Sequence, residues 1–252
     1  MPLLLLLLTL LFSQPSLAQT SALDTVAERG YLRVGTTFDY RPFTYKEGRQ
    51  AAGYDVDVAR LMARELGVDL VFVNTTWTDL LPHLQEHKFD LAVGGITRTL
   101  KRQTKAGFTD PVFSIGKCAL VRREDAERLR DLTAIDGPNL TVAVNPGGTN
   151  EAYVREHIQQ AQILVVEDNL AIPELVAQGQ ADAMITDNLE ALRAAQRDPR
   201  LVAISADSPW TAETLGFVTQ RHDQAFLNWL NLFLYQAEAD GRLELLRQKH
   251  GL

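Results

Sequence analysis

The sequence has 252 residues, of which 46% are hydrophobic and 23% are charged, and its formal net charge is -7. This composition is typical of a globular protein and excludes a disordered or collagen-like chain. The length allows one large domain or two small ones with cores of their own. An acidic chain without a Lys/Arg tract is poorly suited to nucleic acid or to an anionic membrane surface.

The N-terminus has the pattern of a secretory signal peptide. The apolar run Leu3–Phe12 is followed by Pro15 and by the small-x-small sequence Ser16–Ala18. The run is shorter than the roughly 20 apolar residues that a bilayer-spanning helix needs. We therefore predict a signal peptide over residues 1–18 and a periplasmic location. A buried apolar strand is the alternative.

Strand-like and amphipathic helical runs alternate through the first half of the remaining chain. The predicted strands are Tyr31–Thr36, Leu70–Val73 and Leu91–Val93. The predicted helices are Thr78–His87 and Val56–Leu66, which Gly67 ends. This βαβ rhythm predicts a parallel sheet.

The same alternation restarts in the second half. The predicted strands are Cys118–Val121, Leu140–Val144, Ile163–Val166 and Ala183–Thr186. The predicted helices are Glu151–His157, Pro173–Gln178, Leu189–Gln196, Gln224–Ala239 and Arg242–Lys249. Two βαβ blocks and a helical tail predict an α/β protein with two lobes, the first over 24–113 with 209–252 and the second over 114–208.

Several kinds of site find no support in the sequence. Cys118 is the single cysteine, so an intramolecular disulfide and a cysteine-based zinc site are excluded. His83 and His87 share helical spacing, but no H-E-x-x-H pattern surrounds them, so we predict no metal site. The G-x-S-x-G elbow, the Walker loop and a G-x-G-x-x-G after a strand are also absent.

Polar, aromatic or glycine residues follow each predicted strand. Ligands of open α/β sheets bind beyond the carboxyl ends of the strands, so these residues are the candidates for a binding cleft. They are Thr36–Tyr40, Asn74–Trp77, Gly94–Thr97 with Arg102, Asn145–Asn150, and Asp187 with Glu190.

Three of these candidates have structural alternatives. Gly147–Thr149 opens a helix and suits an anion, but a threonine N-cap preceded by turn glycines explains it equally. Arg102 suits a bidentate carboxylate clamp, or it is a solvated helix-face arginine beside Lys101 and Lys105. Trp77 is either the flat wall of a ligand site or part of the core.

Asp187 and Glu190 are spaced to share one face at the start of a helix. Two carboxyl groups close together in a shielded cleft disfavour double ionisation, so one stays protonated near neutral pH. Such a group can act as a general acid. The alternative is that both residues stabilise the helix N-terminus. The residues alone leave both interpretations open.

From about Leu23 to His250 the chain resembles type 2 periplasmic amino-acid-binding proteins. Among these it is most similar to the periplasmic cyclohexadienyl dehydratases, which act on prephenate and arogenate. The marks of the broad family are Gly53–Asp57, Asp90-Leu91, Gly94–Thr97, Arg102 and Phe108–Pro111. The marks of the dehydratases are Val144–Glu151, Thr186-Asp187 and Glu190.

The resemblance implies a two-lobed fold with two inter-lobe crossings and a role for each candidate residue. Residues matching Arg102 and Thr149 hold the α-carboxylate of the ligand, and a residue matching Asp187 holds the polar group beside it. The residue matching Glu190 is the general acid. The rest of the implied pocket comprises Asp39, Trp77, Lys117 and Asn145, to which we add Phe38, Thr97 and the backbone of Gly148.

The activity implied is that of a lyase. It converts prephenate to phenylpyruvate and arogenate to phenylalanine by dehydration with decarboxylation, and it needs no cofactor. The main alternative is a non-catalytic amino-acid receptor whose partners are the membrane subunits of an ABC importer. A sensor module is a third alternative.

Overall fold

A computed structural model describes residues 20–252 of the chain. The predicted signal peptide over residues 1–18 lies outside these residues. Within 20–252, no helix combines the length and the apolar character that crossing a membrane requires.

The described residues form fifteen strands and ten α-helices. The strands are β1 (Tyr31–Thr36), β2 (Asp39–Tyr40), β3 (Thr44–Glu47), β4 (Gln50–Ala52), β5 (Asp69–Asn74), β6 (Leu91–Ala92), β7 (Ala106–Phe108), β8 (Phe113–Ile115), β9 (Lys117–Arg122), β10 (Thr141–Val144), β11 (Gln162–Val165), β12 (Ala183–Asp187), β13 (Leu201–Ile204), β14 (Glu213–Leu215) and β15 (Val218–Gln220). The helices are α1 (Ala22–Arg29), α2 (Tyr54–Leu66), α3 (Leu80–Gln85), α4 (Leu100–Gln103), α5 (Leu132–Ile135), α6 (Thr149–His157), α7 (Ile172–Ala177), α8 (Asn188–Arg197), α9 (Gln224–Ala239) and α10 (Arg242–His250).

Two five-stranded sheets form the centres of the two predicted lobes. The first has the strand order β5–β1–β6–β15–β7, and the second has the order β11–β10–β12–β9–β13. The α/β, two-lobed fold class is therefore confirmed. A smaller antiparallel sheet of β2, β3 and β4 extends from the first lobe.

The prediction of wholly parallel sheets is wrong for part of each sheet. Four strands of each sheet run in one direction, but β15 runs antiparallel to its neighbours β6 and β7, and β9 runs antiparallel to its neighbours β12 and β13. Both β9 and β15 enter their sheets directly from the other lobe. Sequential strands become parallel neighbours only through a crossover connection, so a strand that enters without one can be antiparallel.

The chain passes between the two sheets twice, through β8 and through β14. These two strands pair antiparallel, with Phe113 opposite Leu215 and Ile115 opposite Glu213. This pairing holds the two connecting segments side by side. The strands of the two sheets do not define the lobe boundaries to a single residue. The boundaries at 113/114 and 208/209 therefore stay predictions.

The helical tail packs on the first lobe. Phe226 and Leu230 of α9 are fully buried in one core with Val34 of β1 and Met62 of α2. Burying an aromatic or leucine side chain stabilises the fold by about 1.5–3 kcal/mol. In addition, Asp57 of α2 accepts hydrogen bonds from the last turn of α10, at 2.7 Å from the Lys249 ammonium and 2.8 Å from the His250 ring.

Candidate active site

A narrow cleft lies between the two lobes, at the carboxyl ends of their parallel strands. It contains seven of the predicted site residues and three further ones. Its lining consists of Tyr40, Trp77, Gly95, Thr97, Arg102, Asn145, Gly148, Thr149, Asn150 and Asp187.

Side chains of the two lobes contact each other across this cleft. The Tyr40 hydroxyl of the first lobe donates a hydrogen bond to Asp187 Oδ2 of the second. The hydroxyl oxygens of Thr97 and Thr149 are 3.1 Å apart, again one from each lobe. The structure therefore shows the lobes closed over the cleft, a geometry that excludes bulk water from a bound ligand.

Arg102 is a partly buried cation without an acidic partner among the described residues. Its guanidinium donates to the Thr97 carbonyl oxygen at 2.9 Å and forms no salt bridge. Burial lowers the pKa of Arg102, although the charges of Asp187 and Glu213 oppose this. The neighbouring Lys101 is exposed while Arg102 lines the cleft. These contacts favour the carboxylate clamp over the solvated helix-face arginine.

The N-terminus of α6 faces the cleft. Gly148, not Thr149, is the N-cap residue of this helix, and no side chain caps it. The threonine N-cap alternative is therefore wrong. Thr149 Oγ1 instead accepts a hydrogen bond from Lys117 at 3.0 Å and contacts Thr97. Backbone N–H groups without a side-chain cap at the start of a helix suit an anionic ligand.

Lys117, at the start of β9, is 1% exposed and lies beneath the lining. Its ammonium donates to Asp187 Oδ1 at 2.6 Å, to Asn150 Oδ1 at 2.7 Å and to Thr149 Oγ1 at 3.0 Å. A carboxylate oxygen of Glu213 is 3.4 Å away. All three hydrogens of the ammonium are thus donated, so Lys117 orients the residues that line the cleft.

Asp187 and Glu190 do not cap α8. Asp187 is its N-cap residue but makes no side-chain cap bond. Glu190 is 5% exposed and accepts hydrogen bonds from Asn169 Nδ2 at 2.7 Å and from the Thr186 hydroxyl. Burial raises the pKa of Glu190 well above its usual value, and the charge of Asp187 adds to this, while both donors oppose it. The direction of this shift favours the protonated acid.

The aromatic wall of the cleft is made by Trp77 and Tyr40, whose rings meet edge to face at 5.8 Å. Trp77 Nε1 donates to both carboxylate oxygens of Asp39 at 3.1 Å. Burial raises the pKa of Asp39. Phe38 packs edge to face on Phe72 with the ring centroids 5.8 Å apart, and it does not line the cleft.

The structure does not place every predicted residue in the lining. Glu190 lines a neighbouring groove with Asn169 and Arg41, and Asp39 lines another. Tyr40, Gly95 and Asn150 stand in candidate segments after predicted strands, but the sequence analysis assigned none of them a role in the pocket. It also missed Asn169, whose position in a short turn after β11 gave no signal.

Known proteins resemble this chain over most of its length. Residues 32–252 match the family described as bacterial extracellular solute-binding proteins, family 3. A cyclohexadienyl dehydratase from Pseudomonas aeruginosa is 40% identical over 243 residues, which cover 96% of this chain and 89% of that protein.

Two solved structures are also similar. The ancestral amino-acid-binding protein AncCDT-1, described as a precursor of cyclohexadienyl dehydratase, superposes with a TM-score of 0.85 at 38% identity, covering 91% of this chain and 99% of that chain. A variant of an ancestral cyclohexadienyl dehydratase is 48% identical and gives a TM-score of 0.58, covering 93% and 98%.

Proposed function

The chain belongs to family 3 of the bacterial extracellular solute-binding proteins, and we propose that it acts within this fold as a periplasmic cyclohexadienyl dehydratase. It is a lyase that converts prephenate to phenylpyruvate and arogenate to phenylalanine, with loss of water and carbon dioxide. The similarity to the Pseudomonas aeruginosa enzyme supports this reaction. The signal-peptide pattern of residues 1–18 supports the periplasmic location.

The observation that carries the proposal is the state of Glu190. This carboxyl is buried beside Asp187, and burial raises its pKa well above the usual value, which favours the protonated acid. A receptor that only holds an amino acid needs a carboxylate seat and a partner for the amino group. It has no use for a buried protonated acid, whereas a dehydratase requires one.

The carboxylate seat consists of the Arg102 guanidinium, the hydroxyls of Thr97 and Thr149, and the N–H groups that begin α6. It binds the side-chain carboxylate of the substrate with charge-assisted hydrogen bonds. The ring then lies along Trp77 and extends past Asp187 towards Glu190. Closure of the lobes holds this arrangement and excludes water.

The reaction breaks two bonds that join substituents to the ring. The bond to the ring carboxylate breaks, its electron pair enters the ring, and carbon dioxide leaves. The bond to the ring hydroxyl breaks with its pair on oxygen, which takes the proton of Glu190 and departs as water. Aromatisation drives the step, so the protein has only to orient the substrate and supply one proton.

The alternative function is an amino-acid receptor of an ABC importer. The high structural similarity to the ancestral binding protein AncCDT-1 favours it. Arg102, Thr149 and Asp187 would serve such a receptor equally, and Glu190 would then be a ligand contact.

One comparison separates the two functions. Purified protein is incubated with prephenate or arogenate at neutral pH, and phenylpyruvate or phenylalanine is followed against a blank without protein. Prephenate decomposes in acid, so the blank is essential. Product formation above the blank supports the dehydratase. Tight calorimetric binding of a common amino acid with no product would assign the receptor.

A further inference from the structure

A buried series of hydrogen bonds leads from Lys117 to Glu190. The Lys117 ammonium donates to Asn150 Oδ1 at 2.7 Å, and Asn150 Nδ2 lies 3.1 Å from Thr186 Oγ1. Thr186 in turn donates to Glu190 Oε2. The four residues are between 0% and 7% exposed, so water does not compete for these bonds.

Lys117 fixes the orientation of the Asn150 amide. An ammonium has only hydrogens to donate, so the amide oxygen of Asn150 must face it. The amide nitrogen of Asn150 then faces Thr186 as a donor. Thr186 accepts this bond, and its own hydroxyl hydrogen is donated to Glu190 Oε2.

The second oxygen of Glu190 also faces a donor of fixed orientation. Asn169 Nδ2 is 2.7 Å from Glu190 Oε1 and 2.9 Å from the backbone carbonyl oxygen of Asp39. A carbonyl oxygen only accepts, so the nitrogen of this amide is held on the side of Glu190. Both oxygens of Glu190 thus meet donors, which is the arrangement that a carboxylate needs and a carboxylic acid does not.

We infer that Asn150 and Thr186 are positioning residues of the proposed reaction: their hydrogen bonds hold the Glu190 carboxyl in place and stabilise the carboxylate that forms as the proton leaves. This inference rests on the proposed function. Thr186 does not line the cleft, so it acts through Glu190 rather than on the substrate.

Thr186→Val tests the inference, because valine keeps the shape and removes the donor. We expect kcat at neutral pH to fall roughly 10- to 100-fold, since one hydrogen bond to a charged group is lost in the transition state. The KM should stay within a few-fold. The alkaline limb of the profile of kcat against pH should move to higher pH by about one unit, because the carboxylate form of Glu190 loses a stabilising hydrogen bond.

Two further variants serve as controls. Thr186→Ser keeps the hydroxyl and should restore both kcat and the pH profile. Thr186→Ala also removes the donor, adds no charge and is smaller than valine. It should shift the alkaline limb in the same direction as Thr186→Val, and it replaces that variant if valine prevents folding.

The ionisation of Glu190 is also measured directly, by ¹³C NMR titration of labelled glutamate with Glu190→Gln identifying the signal. A higher pKa in Thr186→Val than in the wild type supports the inference. An unshifted titration with unchanged kcat would overturn it while leaving the proposed function intact. Absence of turnover in the wild type would overturn the proposed function, and the reaction step inferred here with it.

Discussion

The two cations of the cleft, Lys117 and Arg102, should respond in opposite ways to the same substitution. Lys117 donates all three of its hydrogens to Asp187, Asn150 and Thr149. Arg102 makes a hydrogen bond to the Thr97 carbonyl and pairs with no acid of residues 20–252. Replacing each by methionine keeps an unbranched chain and removes the charge. We expect Lys117→Met to lower the stability of the fold and Arg102→Met to weaken ligand binding.

The magnitudes follow from these contacts. Lys117→Met leaves a buried carboxylate unpaired, which costs about 3–5 kcal/mol. At about 2–4 °C per kcal/mol for a chain of this size, Tm falls by about 6–20 °C. Arg102→Met removes a cation that lacks a partner, so Tm should change by no more than about 2 °C. Loss of a bidentate carboxylate clamp should weaken ligand binding at least about 100-fold.

Thermal unfolding followed by circular dichroism measures the first effect, and calorimetry measures the second. Calorimetry uses prephenate in a Glu190→Gln background so that the substrate is not consumed. A fall in Tm for Arg102→Met as large as that for Lys117→Met would show that Arg102 is a structural cation. Unchanged affinity in Arg102→Met would remove it from the carboxylate seat.

Other substitutions test the pH dependence and the closure. Asp187→Asn removes a negative charge that raises the pKa of Glu190, so the alkaline limb of the kcat profile should move to lower pH; an upward shift would contradict this. Tyr40→Phe deletes a bond between the lobes and should raise KM about 10-fold in steady-state kinetics. In Gly147→Ala the new Cβ would lie 2.8 Å from the Thr78 backbone nitrogen of the other lobe. Small-angle scattering should then show a larger radius of gyration than in the wild type, and an equal radius would exclude this effect.

Local patterns predicted the long elements well. The strand Tyr31–Thr36 and the helix Gln224–Ala239 have the bounds that the periodicity indicated, and the helix that Gly67 ends begins only two residues early, at Tyr54. The short strands β2, β8 and β14 were missed, because two or three residues carry no periodicity and their pairing is set by distant segments. The direction of β9 depends on the crossing before it, which no local pattern records.

Local patterns also predicted some residues of the site and missed others. Arg102, Thr149 and Asp187 follow predicted strands or stand in recognisable motifs, and the structure brings them together in one cleft. Asn169 contacts Glu190 from a turn 21 positions away, so only the folded chain reveals it. Phe38 was predicted as part of the pocket, but its side chain packs on Phe72 instead. Side-chain direction after a strand cannot be derived from position alone.

The most direct test of the central claim compares wild-type protein with Glu190→Gln on prephenate at neutral pH. Glutamine keeps the shape of the side chain but has no proton to deliver. We expect turnover to fall by about two to four orders of magnitude, the usual effect of losing a positioned acid, while the dissociation constant for prephenate stays within a few-fold. Turnover that survives intact in Glu190→Gln would contradict the assignment of this residue as the acid, and wild-type protein that forms no phenylpyruvate above the blank would contradict the dehydratase itself.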